Sequence, residues 1–155
     1  MPCVMALSLS NPVYPEGEAA RIPILRAMFK VLLIEDSLLL QDLVGGILGE
    51  VDGIDYRGCV DSEADALLHM EEFQVELVII DIELRQGSGI GVLAALQAEP
   101  ERYGSPLKVV LTNYAHASMR QRCIRLGCDA FYDKSLNMGE LVEYIEQAAA
   151  ARLES

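Results

Sequence analysis

The 155-residue chain has the length of one domain, and 52% of its residues are apolar, which is enough for a sizeable core. Its 24 acidic and 12 basic residues give a formal net charge of −12, which argues against nucleic-acid binding and favours divalent cations or basic partner surfaces. No apolar run reaches the roughly 18 residues of a membrane span, so we expect no membrane partner. The four cysteines include no Cys-x-x-Cys pair, which favours reduced, packed cysteines and fits a cytoplasmic protein.

Residues 1–28 differ from the rest of the chain. They contain four of the six prolines, and their apolar residues follow no steady period. This pattern predicts a mobile N-terminal extension with a short helix near 22–27. We therefore expect the single domain to occupy residues 29–155.

From Phe29 onward, short apolar runs alternate with segments of helical period. Continuous apolar runs are typical of strands that are buried on both faces. The predicted strands are 31–34, 54–60, 75–80, 107–111 and 130–132. Their alternation with helices predicts a parallel sheet that is covered on both sides.

Five helices are predicted, one after each strand. Ser62 opens the second helix in a sequence that resembles a capping box, and this helix is expected to bury Ala64, Leu67 and Leu68. Ser88 is expected to cap the third helix.

Polar side chains follow four of the five strands. The first strand ends in Glu35 and Asp36, the third in Asp81, the fourth in Thr112 and the last in Lys134. Ligands of open α/β sheets bind beyond the carboxyl ends of the strands, and these five side chains meet there if the strand order is 2-1-3-4-5. Grouped carboxylates repel one another unless a hard cation such as Mg²⁺ binds, and an ammonium and a hydroxyl can hold phosphoryl oxygens. The set predicts a phosphoryl-transfer site, although each residue alone also suits a structural role such as helix capping.

Four segments of the sequence resemble the receiver domain of two-component response regulators. They are LLIEDS at 32–37, VIIDI at 78–82, VLT at 110–112 and FYDK at 131–134. The resemblance covers about residues 29–150, with all motifs in order. It implies an α/β, flavodoxin-like (βα)5 fold with a doubly wound five-stranded parallel sheet of order 2-1-3-4-5.

The resemblance also implies Mg²⁺ as the cofactor. Asp36 matches the residue that binds the metal directly, and Glu35 matches the residue that acts through water. Asp81 and the backbone carbonyl of Glu83 complete the implied metal site.

The same resemblance implies how the phosphoryl group is held. Asp81 matches the phospho-acceptor, and Thr112 and Lys134 match the residues that hold phosphoryl oxygens. Phe131 occupies the aromatic switch position that responds to Thr112.

Three residues depart from the family pattern. Ser135 and Arg85 stand where the family commonly has proline, and Asn113 stands where a smaller residue is usual. We expect the loop after Arg85 to be less rigid, and access to Asp81 to be narrower beside Asn113. The acceptor itself is unchanged.

The resemblance predicts a stand-alone response regulator that takes a phosphoryl group from a sensor histidine kinase or phosphotransfer protein. It is expected to be a signalling protein rather than an enzyme, apart from its own phosphotransfer and dephosphorylation, and to act by phosphorylation-dependent binding to a separate protein target. Charges on the fourth and fifth predicted helices make that face a candidate for a homodimer or for a mixed-charge partner. These charges belong to Arg120, Arg122, Arg125, Glu140, Glu143 and Glu146.

Two alternatives of other classes stay open at the level of sequence. A receiver-like protein that is never phosphorylated would serve as a protein-interaction module, which Asn113 and Ser135 weakly favour. The segment 78–84 also resembles the first motif of haloacid-dehalogenase-type phosphatases, but that family requires a second aspartate where Glu83 stands. A mass measurement after treatment with a phosphodonor distinguishes a phosphorylated receiver from the interaction module. Turnover of an aryl phosphate distinguishes the phosphatase from a receiver.

Overall fold

Five parallel strands form one sheet in the computed structural model, which describes residues 28–154. The strands are β1 (Phe29–Ile34), β2 (Ile54–Val60), β3 (Leu77–Ile80), β4 (Leu107–Thr112) and β5 (Ala130–Asp133). Their order is β2-β1-β3-β4-β5, which confirms the flavodoxin-like sheet of order 2-1-3-4-5. The extension predicted over 1–28, except Met28, and the short helix near 22–27 lie outside the described residues.

Six helices follow the strands within the described part of the chain. They are α1 (Leu38–Gly49), α2 (Glu63–Glu72), α3 (Gly89–Ala98), α4 (Pro100–Tyr103), α5 (Ala117–Arg125) and α6 (Met138–Glu154). The sequence pattern predicted only five, because α4 is a single turn that begins with Pro100 and ends at Gly104 in the left-handed conformation. None of these helices is both long and apolar enough to cross a membrane.

The core lies in two layers because successive side chains of a strand point to opposite faces of the sheet. Leu32 and Ile34 belong to the layer that also contains buried residues of α2, α3 and α5. Val31 and Leu33 belong to the layer beneath α1 and α6. Burial on both faces fixes the sheet and therefore the positions of the residues that follow each strand.

The buried face of α2 differs from the prediction. Ala66 and Met70 are fully buried, whereas Leu68 is 62% exposed, Ala64 is exposed and Leu67 is half-buried. Leu67 packs against the core as predicted, but the prediction is wrong for Ala64 and Leu68 because the helix carries two overlapping apolar stripes. Only the packing of α2 on the sheet selects the stripe that contains Met70.

Candidate functional site

The polar residues singled out in the sequence meet at the carboxyl edge of the sheet. Glu35 and Asp36 follow β1, Asp81 follows β3, and Lys134 follows β5; all four line one cavity of about 610 Å³. Thr112 ends β4 and is fully buried, and its carbonyl accepts a hydrogen bond from the backbone N–H of Lys134 at 3.0 Å. The strand order therefore brings all five residues together.

The three acids form a cluster with the donor atoms that a hard cation prefers. Glu35, Asp36 and Asp81 each offer one carboxylate oxygen, and these atoms lie within 4.8 Å of one another. Glu35 and Asp81 are buried and Asp36 is exposed. Glu35 is further oriented because its Oε2 accepts a hydrogen bond from the backbone N–H of Ser37 at 3.0 Å. An oxygen-only donor set that is open on one side fits Mg²⁺.

Lys134 lies between two of the acids. Its Nζ is 2.7 Å from Oε1 of Glu35 and 3.0 Å from Oδ2 of Asp81, and its side chain is almost fully buried. One ammonium thus balances only part of the negative charge that three carboxylates carry.

Burial and the uncompensated negative charge of the cluster raise the pKa of Asp81. Burial and then the charge of Glu35 raise the pKa of Asp81 from 3.8 to about 6, although Lys134 acts in the opposite direction. Burial by itself would lower the pKa of Lys134, but its hydrogen bonds and charge interactions with Glu35 and Asp81 outweigh burial and raise that pKa. Lys134 is therefore charged at neutral pH, and an ionised Asp81 is destabilised in the absence of a cation.

The two residues proposed as a switch are both buried. The hydroxyl oxygen of Thr112 accepts a hydrogen bond from the backbone N–H of Tyr114 at 3.0 Å, which keeps it engaged with the loop after β4. Phe131 is 7% exposed and packs in the core layer beneath α5. The guanidinium carbon of Arg120 lies 5.7 Å from the centre of the Phe131 ring. Phe131 is thus turned inward in this conformation.

Glu83 lies on the loop that follows Asp81. Its backbone N–H favours the charged form of Asp81. Its side chain interacts with the hydroxyl of Tyr114, and this interaction raises the pKa of Tyr114. Both residues line the cavity, so the loops after β3 and β4 approach each other at its mouth.

The departures from the family pattern have local partners. The N–H and hydroxyl of Ser135 both donate to Oδ1 of Asp133, at 2.8 and 2.6 Å. Arg85 forms a two-point ion pair with Asp61, at 2.8 and 3.2 Å. Asn113 is exposed and lines the cavity, so narrower access to Asp81 stays a prediction.

Sequence reasoning missed several residues around the site. Asp61, Glu63 and Tyr114 were not singled out, because each acts on a loop that is distant in sequence or through a backbone turn. Arg122 was assigned to an output face, yet it also lines the cavity that contains Asp81.

The charged face of α5 and α6 consists of three arginines and three glutamates. Among the described residues, none of its arginines or glutamates forms a salt bridge within 4.0 Å. This holds for Arg120, Arg122, Arg125, Glu140, Glu143 and Glu146.

Known proteins share this sequence pattern. The chain is 33% identical over 114 residues to the virulence-factor transcription regulator BvgA of Bordetella pertussis, a match that covers 73% of this chain and 52% of BvgA. It is 30% identical over 104 residues to protein-glutamate methylesterase/protein-glutamine glutaminase 1 of Methanospirillum hungatei, covering 67% of this chain and 30% of that protein. The chain therefore spans about half the length of the first of these relatives and less of the second.

The fold also matches solved structures. The receiver domain of the sensor histidine kinase PA1611 from Pseudomonas aeruginosa, solved with magnesium in its active-site cleft, superposes with a TM-score of 0.69 at 20% identity. The match covers 80% of this chain and 99% of that domain. The family model for the response regulator receiver domain matches residues 31–146. The chain belongs to the response regulator receiver domain family, whose members are phospho-acceptor modules of two-component signalling.

Proposed function

We propose that Asp81 accepts a phosphoryl group, in a Mg²⁺-dependent reaction, from the phosphohistidine of a sensor histidine kinase or phosphotransfer protein. One observation carries the proposal. Asp81 lies within 4.8 Å of the Glu35 and Asp36 ligand atoms, and its Oδ2 is 3.0 Å from the ammonium of Lys134. A carboxylate nucleophile, an acidic cation site and a fixed positive charge are the parts that phosphoryl transfer requires.

Asp81 acts as the nucleophile in this reaction. One of its carboxylate oxygens forms the new P–O bond while the P–N bond of the phosphohistidine breaks, and the electron pair of that bond returns to the imidazole. A pKa of about 6 leaves most of Asp81 ionised and reactive at neutral pH. Lys134 then supplies a point charge for one phosphoryl oxygen, and the Thr112 hydroxyl donates a hydrogen bond to another.

The residues that would hold Mg²⁺ are Asp36, Asp81 and the backbone carbonyl of Glu83, with Glu35 acting through water. When bound, Mg²⁺ neutralises charge on the phosphoryl oxygens and relieves the repulsion among the carboxylates. Burial supports this division of roles. Asp36 is exposed to an arriving cation, whereas Glu35 is buried and already bonded to Ser37 and Lys134. The magnesium in the cleft of the PA1611 receiver supports the choice of metal.

Exposed leucines beside the site support a protein as the donor. Leu38 and Leu39 begin α1 one residue after the acidic pair and are 76% and 77% exposed. Leu136, two residues after Lys134, is 79% exposed. A protein that delivers its phosphohistidine to Asp81 can bury these side chains, which a small phosphodonor cannot.

We further propose that the chain acts as a cytoplasmic signalling protein whose output is binding to another protein. A phosphoryl group on Asp81 would draw the Thr112 hydroxyl away from the Tyr114 N–H. Phe131, which is already buried beneath α5, would then shift towards the space that the hydroxyl leaves, and its inward position would be stabilised. The face formed by α5, β5 and α6 surrounds Phe131. Its positive and negative charges, which form no ion pairs with one another among the described residues, suit a second copy of the chain or a mixed-charge partner.

Phosphorylation by a small acyl phosphate tests the acceptor assignment. With Mg²⁺, the intact mass of the wild type is expected to rise by one phosphoryl group, and a chelator is expected to prevent the gain. Asp81→Asn should remove the gain and keep the fold, whereas the matched control Asp52→Asn, at an exposed turn, should be labelled like the wild type. Labelling that persists in Asp81→Asn contradicts the assignment. An unlabelled wild type that still binds Mg²⁺ and a kinase favours the alternative of a non-phosphorylated interaction module.

A further inference from the structure

The loop that joins β3 to α3 turns back on itself immediately after Asp81. The backbone N–H of Gly89 donates to the carbonyl of Ile82 at 2.9 Å, and Glu83 and Ser88 form a short antiparallel bridge. A Cβ at Gly89 would collide with the carbonyl oxygen of Asp81, so the base of the loop lies directly against the acceptor. Any displacement of this loop therefore displaces the Glu83 carbonyl relative to Asp81.

The outer end of the loop is tied to the junction between β2 and α2. The Nη2 and Nε atoms of Arg85 lie 2.8 and 3.2 Å from the two carboxylate oxygens of Asp61. The backbone N–H of Glu63 donates to the carbonyl of Gln86 at 3.0 Å, and Ser62 and Gln86 form a parallel bridge. The loop is thus fastened at two successive residues, Arg85 and Gln86.

The side chain of Glu63 provides a third attachment. Its Oε1 accepts a hydrogen bond from the backbone N–H of Ser88 at 3.0 Å. The carboxylate lies against the backbone of Gly87 and Gly91, and a Cβ at either glycine would collide with it. The negative charge also lies at the N-terminus of α3, where the helix dipole stabilises it. The two glycines leave the room that this carboxylate occupies.

We infer that Asp61 and Glu63 are positioning residues for Mg²⁺ binding, because they hold the β3–α3 loop that places Glu83 in the cavity lined by the acidic cluster. The inference rests on the proposed function, which supplies the Mg²⁺ site. It also explains how a chain with Arg85 in place of proline keeps this loop ordered. The restraint comes from contacts between the loop and residues at the start of α2 and just before it, rather than from a proline ring within the loop.

Two substitutions of Glu63 separate positioning from charge. Glu63→Gln keeps a carbonyl oxygen that can accept the Ser88 N–H, whereas Glu63→Ala removes the acceptor. Mg²⁺ titrated calorimetrically into the metal-free protein is expected to bind about tenfold more weakly to Glu63→Ala and within about twofold of wild type to Glu63→Gln. A purely electrostatic effect would weaken both variants equally, and that result overturns the inference.

Substitution of Arg85 gives a test in which the two effects have opposite signs. Arg85 interacts electrostatically with Asp36, so loss of its positive charge alone would tighten Mg²⁺ binding. Loss of its tie to Asp61 should instead weaken Mg²⁺ binding by about threefold in Arg85→Gln, since exposed ion pairs are modest. Arg57→Gln is the matched control, because Arg57 forms an exposed ion pair with Asp55 on β2, away from the loop.

Hydrogen exchange in the metal-free protein supplies a readout that does not depend on phosphorylation. The Ser88 amide is expected to exchange faster in Glu63→Ala, with the core amides of β1 and β3 unchanged. Unchanged Ser88 exchange, or tighter Mg²⁺ binding by Arg85→Gln, overturns the inference.

If the wild type binds no Mg²⁺, or if Asp36→Ala binds it normally, the proposed metal site fails. Normal Mg²⁺ binding by Glu63→Ala together with lost binding by Asp36→Ala refutes the positioning role alone.

Discussion

Replacement of Asp81 by asparagine should stabilise the metal-free protein at neutral pH. An asparagine side chain has nearly the shape of the aspartate but no charge, so it would remove the repulsion between Asp81 and Glu35 while Lys134 keeps its 2.7 Å ion pair with Glu35. The pKa of Asp81 lies at about 6 in the folded protein instead of 3.8. Each pH unit of difference corresponds to about 1.4 kcal/mol, so ionised Asp81 costs the fold about 3 kcal/mol. We expect Asp81→Asn to recover about 1–3 kcal/mol of this cost, because asparagine forms weaker hydrogen bonds with Lys134.

The pH dependence follows from the direction of the pKa change. Because the folded pKa is above the ordinary one, the folded protein binds more protons than the unfolded chain between pH 3.8 and about 6. The free energy of unfolding of the wild type therefore falls as the pH rises through that window. Above it, Asp81 is ionised and its full destabilising effect on the fold is present. The advantage of Asp81→Asn should be largest near pH 7.5 and should fall below about 1 kcal/mol near pH 4.

Urea unfolding of both proteins in the presence of a chelator measures this difference, since titrating groups outside the cluster of Asp81, Glu35 and Lys134 cancel between them. Added Mg²⁺ should narrow the gap, because a ligand that binds only the folded wild type stabilises it. The exposed Asp52→Asn variant should match the wild type at every pH. The reasoning is refuted if Asp81→Asn is no more stable than the wild type near neutral pH, or if its advantage does not shrink on acidification.

Two further predictions concern the metal and the output. Asp36→Ala should weaken Mg²⁺ binding by more than about tenfold and by more than Glu35→Ala does, because it removes a proposed direct ligand rather than one acting through water. Equal calorimetric affinities of the two variants would contradict these proposed roles. Arg125→Glu should abolish phosphorylation-dependent dimerisation in sedimentation experiments without slowing phosphorylation of Asp81. The double variant Arg125→Glu/Glu143→Arg should restore dimerisation. A phosphorylated wild type that stays monomeric excludes self-pairing through α5 and α6.

The sequence predicted those parts of the molecule that depend on local pattern. An unbroken apolar run indicates a buried strand, and the residue after the run must lie at the carboxyl edge of a parallel sheet. This is why the pattern predicts one site for Asp81 and Lys134, which are 53 residues apart in sequence and 3.0 Å apart in the structure. Strand order itself came from the family resemblance, because apolar runs do not state which strands are neighbours.

The parts that the sequence did not predict depend on tertiary packing. The exposed Leu68 and the buried Met70 occupy stripes of similar apolar character, so only contact with the sheet distinguishes them. The contact between Glu63 and Ser88 spans 25 residues and has no spacing signature. Arg122 looked like a surface charge in the sequence, and its place at the mouth of the cavity follows from the packing of α5.

Arg85 and Ser135 stand at two positions where the family commonly has proline, and side-chain interactions restrain the backbone at both. Proline restricts the backbone through its ring, independently of salt and pH. Here Ser135 is held by two hydrogen bonds to Asp133, and Arg85 is held by an ion pair with Asp61. The Asp61–Arg85 pair is exposed and therefore screened by salt, whereas the Ser135 bonds are short and local. We therefore expect the loop that carries Glu83 to depend on ionic strength in a way that a proline-containing loop does not. Because Arg85 also interacts electrostatically with Asp36, the charge balance of the proposed Mg²⁺ site would extend to a residue that is not a ligand.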